Sequence, residues 1–303
     1  MTFDLDTRLA GPLADPAGEA GHTDAPPRMG FFTDTSVCIG CKACEVACKE
    51  WNAVPAASTG EQSTGPGDLS GMSYDNTVGL GGSTWRHVAF VEQTGPPPVD
   101  LGMPSVPQGA DEGDREMRWL MASDVCKHCT HAACLDVCPT GSLFRTEFGT
   151  VVVQEDICNG CGYCVPACPY GVIDIRPEDG RAWKCTLCYD RLGAGQEPAC
   201  AKACPTDSIQ YGPLDELRAT AATRLADLHD RGMEKAQLYG HDANDGVGGD
   251  GAFFLLLDRP EVYGLPPDPI VTTRDLPEMW KHAALTAAGV VVAVAAAFIG
   301  GRR

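Results

Sequence analysis

The chain has 303 residues and a formal net charge of -18, with 23 Lys and Arg residues against 41 Asp and Glu residues. This acidic balance argues against a nucleic-acid-binding protein, because phosphate recognition requires a clustered basic surface. The sixteen cysteines are poorly explained as a disulfide scaffold. Such scaffolds are usually secreted chains of fewer than about 100 residues, whereas this chain is long enough to bury a hydrophobic core.

The first part of the chain alternates loop-like segments with short regular elements. Residues 1–30 are rich in Asp, Gly, Ala and Pro and lack the basic and apolar regions of a signal peptide, so a disordered leader is expected. Residues 55–84 are rich in Gly, Ser and Pro, which predicts a surface loop. Two β-rich runs at residues 85–93 and 116–124 predict strands, and Val151–Val153 predict a third, shorter strand.

The second part of the chain contains a helix and a glycine-rich run. Residues 213–232 place leucine and alanine side chains on one face at helical spacing, which predicts a packing helix. The run GVGGDG at residues 246–251 formally matches a dinucleotide-binding loop, but it precedes the predicted strand AFFLLLD instead of following one. A turn, or a close backbone approach to a partner, is the better interpretation.

The end of the chain is apolar. Residues 283–301 contain no charged side chain and would reach about 28 Å as a helix, close to the roughly 30 Å hydrocarbon core of a bilayer. A weak transmembrane anchor is predicted, with an insertion free energy of roughly -2 to -4 kcal/mol, and a buried soluble helix is the alternative. Small residues recur every fourth position and would let another transmembrane helix approach; they are Gly289, Ala293, Ala297 and Gly301.

The sixteen cysteines fall into four groups of four. Groups one and three have gaps of two, two and three residues; group two has gaps of two, four and three; group four has gaps of two, eleven and three. Groups two, three and four are followed directly by proline. In chain order, the groups are Cys38, Cys41, Cys44 and Cys48; Cys126, Cys129, Cys134 and Cys138; Cys158, Cys161, Cys164 and Cys168; and Cys185, Cys188, Cys200 and Cys204.

This spacing is typical of 4Fe-4S ligation. Two-residue gaps let thiolates of one tight turn reach neighbouring irons of a cluster, and the fourth cysteine ligates the adjacent cluster in two-cluster ferredoxins. Each group is therefore expected to give three ligands to one cluster and one to its neighbour. Zinc held by CxxC pairs is the alternative, but it does not explain the recurring third cysteine. Spacing leaves the pairing of groups open, since 19 residues separate groups two and three and 16 separate groups three and four.

Several runs are recognisable: CIGCKACEVACKEWN, CNGCGYCVPACPYG, KCTLCYDRLGAGQEPACAKACPT, and the later GVGG and YGLPPDP. They resemble the iron-sulfur (beta) subunits of membrane-bound respiratory formate dehydrogenases. The likeness covers about residues 31–303, with the loops of 55–115 outside it. It implies an α+β fold of two ferredoxin-like 4Fe-4S dicluster halves, rich in loops, plus one C-terminal transmembrane helix.

The expected domains follow this resemblance. They are a disordered leader (1–30), a four-cluster ferredoxin-like region (31–210), a packing region of helix and strand (211–280) and a transmembrane anchor (281–303). Within the four-cluster region, one half combines 31–54 with 180–210, and the other half is 116–179.

The resemblance also implies a ligand set for each of four 4Fe-4S clusters, with no catalytic residue in this chain. The sets are Cys38, Cys41, Cys44 and Cys204; Cys48, Cys185, Cys188 and Cys200; Cys126, Cys129, Cys134 and Cys168; and Cys138, Cys158, Cys161 and Cys164.

The implied role is electron transfer within a membrane complex used in anaerobic respiration. The implied partners are a molybdenum- or tungsten-pterin catalytic (alpha) subunit that oxidises formate and a cytochrome b (gamma) subunit that reduces quinone. The globular part is expected on the outer face of the cytoplasmic membrane. Similar four-cluster subunits serve dimethyl sulfoxide reductases and some hydrogenases, and such a complex is the alternative function.

Six basic residues lie within or beside the cysteine groups. A positive charge near an anionic cluster raises its reduction potential, although most of these side chains are expected to be solvated. They are Lys42, Lys49, Lys127, Lys184, Arg191 and Lys202.

Overall fold

The computed structural model describes residues 15–55, 77, 79–93 and 118–300. These residues form ten β-strands and eight α-helices. The strands are β1 (Met29–Asp34), β2 (Arg86–Gln93), β3 (Arg118–Val125), β4 (Leu143–Arg145), β5 (Val151–Val153), β6 (Asp174–Arg176), β7 (Arg181–Trp183), β8 (Ile209–Pro213), β9 (Gln237–Tyr239) and β10 (Ala252–Leu256). The helices are α1 (Pro16–Glu19), α2 (Ala43–Trp51), α3 (Ala133–Asp136), α4 (Cys164–Ala167), α5 (Tyr189–Gly193), α6 (Ala199–Lys202), α7 (Leu214–Asp230) and α8 (Leu276–Gly300).

One four-stranded sheet separates two sides of the molecule. Its strand order is β8-β1-β10-β9, with β1 parallel to β10 and antiparallel to β8. Successive side chains of a strand point to opposite faces. Phe32 stacks on Phe253, with ring centroids 5.3 Å apart, in the core that includes α7. Phe31 belongs instead to the core that contains cysteines, so the sheet supports the cysteine-bearing side on its other face.

Helix α7 confirms the predicted packing helix. It begins directly after Pro213, and the acidic residues Asp215 and Glu216 occupy its first turn, where they interact favourably with the helix dipole. Its buried side chains are Leu214, Leu217, Ala221 and Leu228. Burial of each leucine stabilises the fold by about 1.5–3 kcal/mol, so this face anchors the helix on the sheet.

Three two-stranded hairpins carry the rest of the β-structure. Strand β2 pairs with β3, β4 with β5, and β6 with β7, all antiparallel. Strands β2, β3 and β5 confirm the three strands predicted from composition, although residues 116 and 117 of the second prediction lie outside the described residues. The β2–β3 hairpin packs against α2 and the turn that precedes it, which brings it beside the first cysteine group.

The described part of the predicted surface loop is not a surface loop. Residues 56–76 and 78 lie outside the described residues. Thr77, Leu80 and Thr84 are buried, and Leu80 joins the cysteine-bearing core. The prediction of a surface loop is therefore wrong for these positions. It rested on composition, which does not indicate contacts with the core.

The disordered leader is also corrected in part. Residues 1–14 lie outside the described residues. The remainder begins with α1, where the Asp15 carboxylate accepts a hydrogen bond from the Gly18 amide at 2.9 Å. Further on, Arg28 Nη1 donates to Thr130 Oγ1 at 2.7 Å. This segment is ordered because its polar side chains bond to the second cysteine group.

Helix α8 is the one helix among the described residues that is long and apolar enough to cross a membrane. An 18-residue stretch within Leu276–Ile299 has a mean hydropathy of 2.1, and none of that stretch is buried against the rest of the described chain. This exposure disfavours the alternative of a buried soluble helix. The small residues Gly289, Ala293 and Ala297 are exposed on it, whereas Gly301 lies outside the described residues.

Candidate metal centres

All sixteen cysteines lie within the described residues, and each is a free thiol. They gather in four neighbourhoods, and each neighbourhood contains three cysteines of one sequence group and one of another. Two neighbourhoods are cavities and two are quartets of adjacent thiols.

The group-one cavity lies between α2 and the β2–β3 hairpin. The Ser123 hydroxyl lies 3.2 Å from the Cys44 sulfur at its wall. At Gly40, φ is +64°, and a side chain would place Cβ 2.6 Å from the Met121 sulfur. Glycine is required there because the cysteine turn meets the hairpin closely. The cysteines lining this cavity are Cys38, Cys41, Cys44 and Cys204.

The group-two cavity is more enclosed, because none of its cysteines is exposed, whereas Cys41 of the group-one cavity is exposed. Apolar side chains of Val151, Val172 and Ile173 form part of its wall, together with Lys127 and Lys184. Both lysines are buried. The cysteines lining this cavity are Cys126, Cys129, Cys134 and Cys168.

The buried quartet consists of Cys48, Cys185, Cys188 and Cys200, all of which are buried. Burial raises the pKa of the Cys48 thiol, and the charges of the other three cysteines, which lie close to it, also raise it. The amide nitrogen of the Asn52 side chain lies 3.7 Å from the Cys48 sulfur and 3.8 Å from the Cys188 sulfur. The backbone N–H of Leu187 donates to the Cys185 sulfur at 3.3 Å. Such donors stabilise negative charge on the sulfurs.

The surface quartet consists of Cys138, Cys158, Cys161 and Cys164. Burial raises the pKa of the Cys164 thiol to about 11, and the charges of the other three cysteines also raise it. The backbone N–H of Ala182, in β7, donates to the Cys158 sulfur at 3.4 Å. Cys161 is exposed, so this neighbourhood reaches the solvent.

The four neighbourhoods lie next to one another in one order. Burial is the main cause that raises the pKa of Cys44, Cys185 and Cys134, and the charge of a cysteine in the next neighbourhood also raises each. The pairs across neighbourhoods are Cys44 with Cys200, Cys185 with Cys126, and Cys134 with Cys164. The order is therefore group-one cavity, buried quartet, group-two cavity and surface quartet.

The chemistry of these thiols suits a cluster that they bind as thiolates. Burial raises the pKa of Cys44 to about 11 and that of Cys134 to about 12, so both are protonated at neutral pH until a metal displaces the proton. Apolar walls and N–H or O–H donors to sulfur are the features that stabilise iron-sulfur clusters and set their potentials. The residues present therefore fit 4Fe-4S clusters.

Two of the six basic residues are buried and are exceptions to the expectation that most of the six are solvated. Lys127 is 0% exposed and Lys184 is 2% exposed. The Lys127 ammonium group donates to the Asp124 carboxylate and to the Val125 carbonyl. The Lys184 ammonium group donates to the carbonyls of Val151 and Cys185. Backbone and carboxylate oxygens thus replace water around both charges.

Sequence reasoning missed Arg86 and Ser123. Arg86, the first residue of β2, is buried, and its Nη2 donates to the Cys200 sulfur at 3.3 Å. Neither residue belongs to a cysteine run. One sequence signal could have indicated that Arg86 is buried. Arg86 precedes Val88 by two residues, so both side chains lie on the same, buried face of the predicted strand.

The glycine-rich run at 246–251 forms a turn that braces the second cysteine group. The carbonyl of Val247 accepts a hydrogen bond from the His131 N–H at 2.8 Å, and the carbonyl of Gly249 accepts one from the Thr130 N–H at 3.0 Å. The turn expectation is confirmed, and its close backbone approach is to another segment of this chain.

Comparisons with known proteins agree with this geometry. Sequence models of the 4Fe-4S dicluster domain family match residues 37–142 and 117–214. Together they cover all four cysteine groups. The chain therefore contains two 4Fe-4S dicluster domains with mixed helix and strand content, followed by one candidate membrane-spanning helix.

Curated relatives match most of the chain. It is 40% identical over 283 residues to the formate dehydrogenase iron-sulfur subunit of Haemophilus influenzae, covering 90% of this chain and 81% of the relative. It is 38% identical over 278 residues to the nitrate-inducible formate dehydrogenase iron-sulfur subunit of Escherichia coli, covering 90% and 84%. A subunit of the anaerobic dimethyl sulfoxide reductase of Escherichia coli is 35% identical over 192 residues, covering 63% and 76%. The chain is an iron-sulfur electron-transfer subunit and belongs to the family of formate dehydrogenase iron-sulfur subunits.

Proposed function

We propose that this chain carries four 4Fe-4S clusters and passes electrons from a formate-oxidising molybdenum- or tungsten-pterin subunit to a membrane cytochrome b and quinone. The observation that carries the proposal is the row of four cysteine neighbourhoods, each with four thiols. The 40% identity to a formate dehydrogenase iron-sulfur subunit over 90% of the chain supports formate as the electron source.

Each proposed ligand set contains the same four cysteines as one neighbourhood. The group-one cavity and the buried quartet would belong to the half made of residues 31–54 and 180–210, and the other two neighbourhoods to the half made of 116–179. Contacts of α2 with α6 and of α3 with α4 support these halves, because each contact joins a helix near one cysteine group to a helix near its proposed partner.

The chain's own residues would hold the clusters and fix their potentials. When bound, 4Fe-4S clusters accept and release single electrons. The N–H groups of Leu187 and Ala182 donate to ligand sulfurs, and the Ser123 hydroxyl contacts another. The apolar walls of the group-two cavity exclude water, which strengthens these electrostatic interactions.

Membrane attachment through α8 is part of the proposal, with the globular part on the outer face of the cytoplasmic membrane. The start of α8 is tied to the cysteine-bearing region: Thr273 Oγ1 donates to the Asp136 carboxylate at 2.5 Å, and Arg274 Nη1 donates to the Asp245 carbonyl at 2.5 Å. An anchor on α8 would therefore hold the second cysteine group beside the membrane and its cytochrome.

Anaerobic isolation of the complex from membranes tests the proposal. We expect about sixteen irons and matching acid-labile sulfide per chain, as four 4Fe-4S clusters require. Formate should bleach the visible absorption of the clusters. Iron-free protein would refute the clusters, whereas iron-loaded protein that formate does not bleach would refute only the formate partner.

A dimethyl sulfoxide reductase-type complex is the second candidate, because a subunit of such a reductase is 35% identical to this chain. That match covers 63% of the chain, whereas the formate dehydrogenase subunits match 90% of it. Clusters pre-reduced with dithionite distinguish the two. Reoxidation by dimethyl sulfoxide, without any reduction by formate, would favour the reductase.

A further inference from the structure

Arg86 lies at the junction of the group-one cavity and the buried quartet. Its side chain is 1% exposed. Its Nη2 donates to the Cys200 sulfur at 3.3 Å, and its Nη1 donates to Ser123 Oγ at 3.2 Å. Ser123 Oγ is in turn 3.2 Å from the Cys44 sulfur. One guanidinium group therefore touches a thiol of the buried quartet directly and reaches one of the group-one cavity through a single hydroxyl.

The position of this guanidinium group is fixed by the β2–β3 hairpin. Arg86 pairs with Val125 in the hairpin register, and Nη1 also donates to the Ser123 carbonyl at 3.1 Å. The guanidinium carbon lies 4.9 Å from the centre of the buried Phe31 ring. Because Nη1 donates to Ser123 Oγ, the serine hydrogen remains available to the Cys44 sulfur.

The charge of Arg86 faces cysteine sulfur, which carries negative charge once the cysteines bind a cluster as thiolates. Among the described residues, no carboxylate lies within ion-pair distance of Arg86. Lys127 differs, because its ammonium group pairs with the Asp124 carboxylate. A buried cation is costly unless an anion compensates it, and the anionic groups available to Arg86 are the cysteine thiolates.

We propose that Arg86 is a positioning residue shared by two clusters, and that its positive charge raises the reduction potentials of the clusters in the buried quartet and the group-one cavity. This inference rests on the proposed cluster function. Reduction adds negative charge to a cluster, and a cation in contact with its ligands stabilises that charge. The effect is larger in the buried quartet, which Arg86 contacts directly, than in the group-one cavity.

The test is a redox titration of the anaerobic complex, followed by electron paramagnetic resonance, in wild type and Arg86→Gln. We expect two of the four titration steps to move to lower potential. The larger shift should correspond to at least a tenfold fall in the reduction equilibrium constant, which equals about 59 mV for one electron. Arg86→Lys keeps the charge and should retain most of the wild-type potential.

Arg176→Gln is the matched control. Arg176 is also buried, donates to the Gly82 carbonyl at 2.9 Å and stacks on Trp183 at 4.0 Å. Burial lowers the pKa of Arg176, and the charges that raise it are those of Asp179, Glu178 and Glu155, none of which is a cysteine. The control should leave all four potentials unchanged, although it removes a buried guanidinium group as Arg86→Gln does.

Unchanged potentials in Arg86→Gln, or the same shift in Arg176→Gln, would overturn the inference. If Arg86→Gln does not retain iron, the deciding variant is Ser123→Ala, because it removes only the hydroxyl group between Arg86 and the Cys44 sulfur. One of the four steps should then move, and a titration identical to wild type would overturn the shared role. Failure of the proposed function would appear separately, as wild-type protein without iron or without bleaching by formate.

Discussion

The group-two cavity and the surface quartet show how similar cysteine runs acquire different surroundings. In the group-two cavity, Cys126 is buried beside the fully buried Lys127 and Lys184. In the surface quartet, Cys161 is exposed, and the nearby Tyr163 side chain is 62% exposed. The cysteine spacing supplies the thiols in both places. The surrounding chain then decides how much charge and solvent each site experiences, and these factors set potential and stability.

Removal of one ligand from each site should give the largest effects. We expect both Cys126→Ala and Cys161→Ala to lose one cluster, or about four irons per chain. Cys126→Ala should also lower the thermal unfolding midpoint more, because metal binding is coupled to the folding of the buried site. Iron analysis and thermal unfolding measure both effects.

Chemical rescue sharpens this first comparison. A small thiol added during cluster reconstitution reaches the exposed position of Cys161 but not the buried position of Cys126. Rescue should therefore restore iron in Cys161→Ala alone. Equal rescue of the two variants would contradict the difference in access.

Lys184→Met should have the next largest effect. It removes an ammonium group that donates to the buried carbonyls of Val151 and Cys185, and each unsatisfied buried group costs about 1–3 kcal/mol. The loss of a positive charge should also lower the potential of the cluster in the group-two cavity, and Lys184→Glu should lower it further. Denaturant unfolding and redox titration measure the two effects.

Lys202→Met is the control for Lys184. Lys202 also lies close to a cysteine group, but its side chain is 69% exposed and pairs with Glu197 at the surface. Its replacement should change the free energy of unfolding by no more than about 0.5 kcal/mol. A potential that stays unchanged in Lys184→Met, or falls equally in Lys202→Met, would show that burial of the cation does not matter.

The sequence predicted those parts of the site that depend on local spacing. The cysteine groups, the strand at Val151–Val153 and helix α7 follow from short-range patterns, and the structure places each where it was expected. The whole fold determines which cysteine groups lie next to each other. The number of residues between the groups left this pairing open. The resemblance to a known family predicted the pairing of the cysteine groups, which their spacing alone did not predict.

The features that the sequence did not predict arise from tertiary contacts. Burial of Lys184 depends on the Val151 carbonyl, which lies 33 residues away in the chain. Arg86 lies on a predicted strand, and the composition of that strand did not indicate its contact with the Cys200 sulfur. The end of the leader is ordered because Arg28 bonds to Thr130, 102 residues away. Composition suggested disorder there, since a hydrogen bond to a distant group leaves no local pattern.

The glycine turns give smaller predicted effects than the loss of a cluster ligand, and they test whether bracing distinguishes the two sites. At Gly246, a Cβ atom would lie 2.0 Å from the Pro269 carbonyl oxygen, which is backbone and cannot rotate away. Gly246→Ala should therefore displace the turn and cost about 1–3 kcal/mol. At Gly162, φ is +75° and nothing lies within 4 Å, so alanine there meets only backbone strain of roughly 1–2 kcal/mol.

Amide hydrogen exchange separates these two glycine variants even where their stabilities are similar. The N–H groups of Thr130 and His131 donate to carbonyls of the braced turn, so they should exchange faster in Gly246→Ala. Gly162→Ala should leave both amides protected, because its turn is not in contact with the group-two cavity. If both amides stay protected in Gly246→Ala, the turn does not brace the second cysteine group, and the buried lysines alone would account for the difference between the two sites.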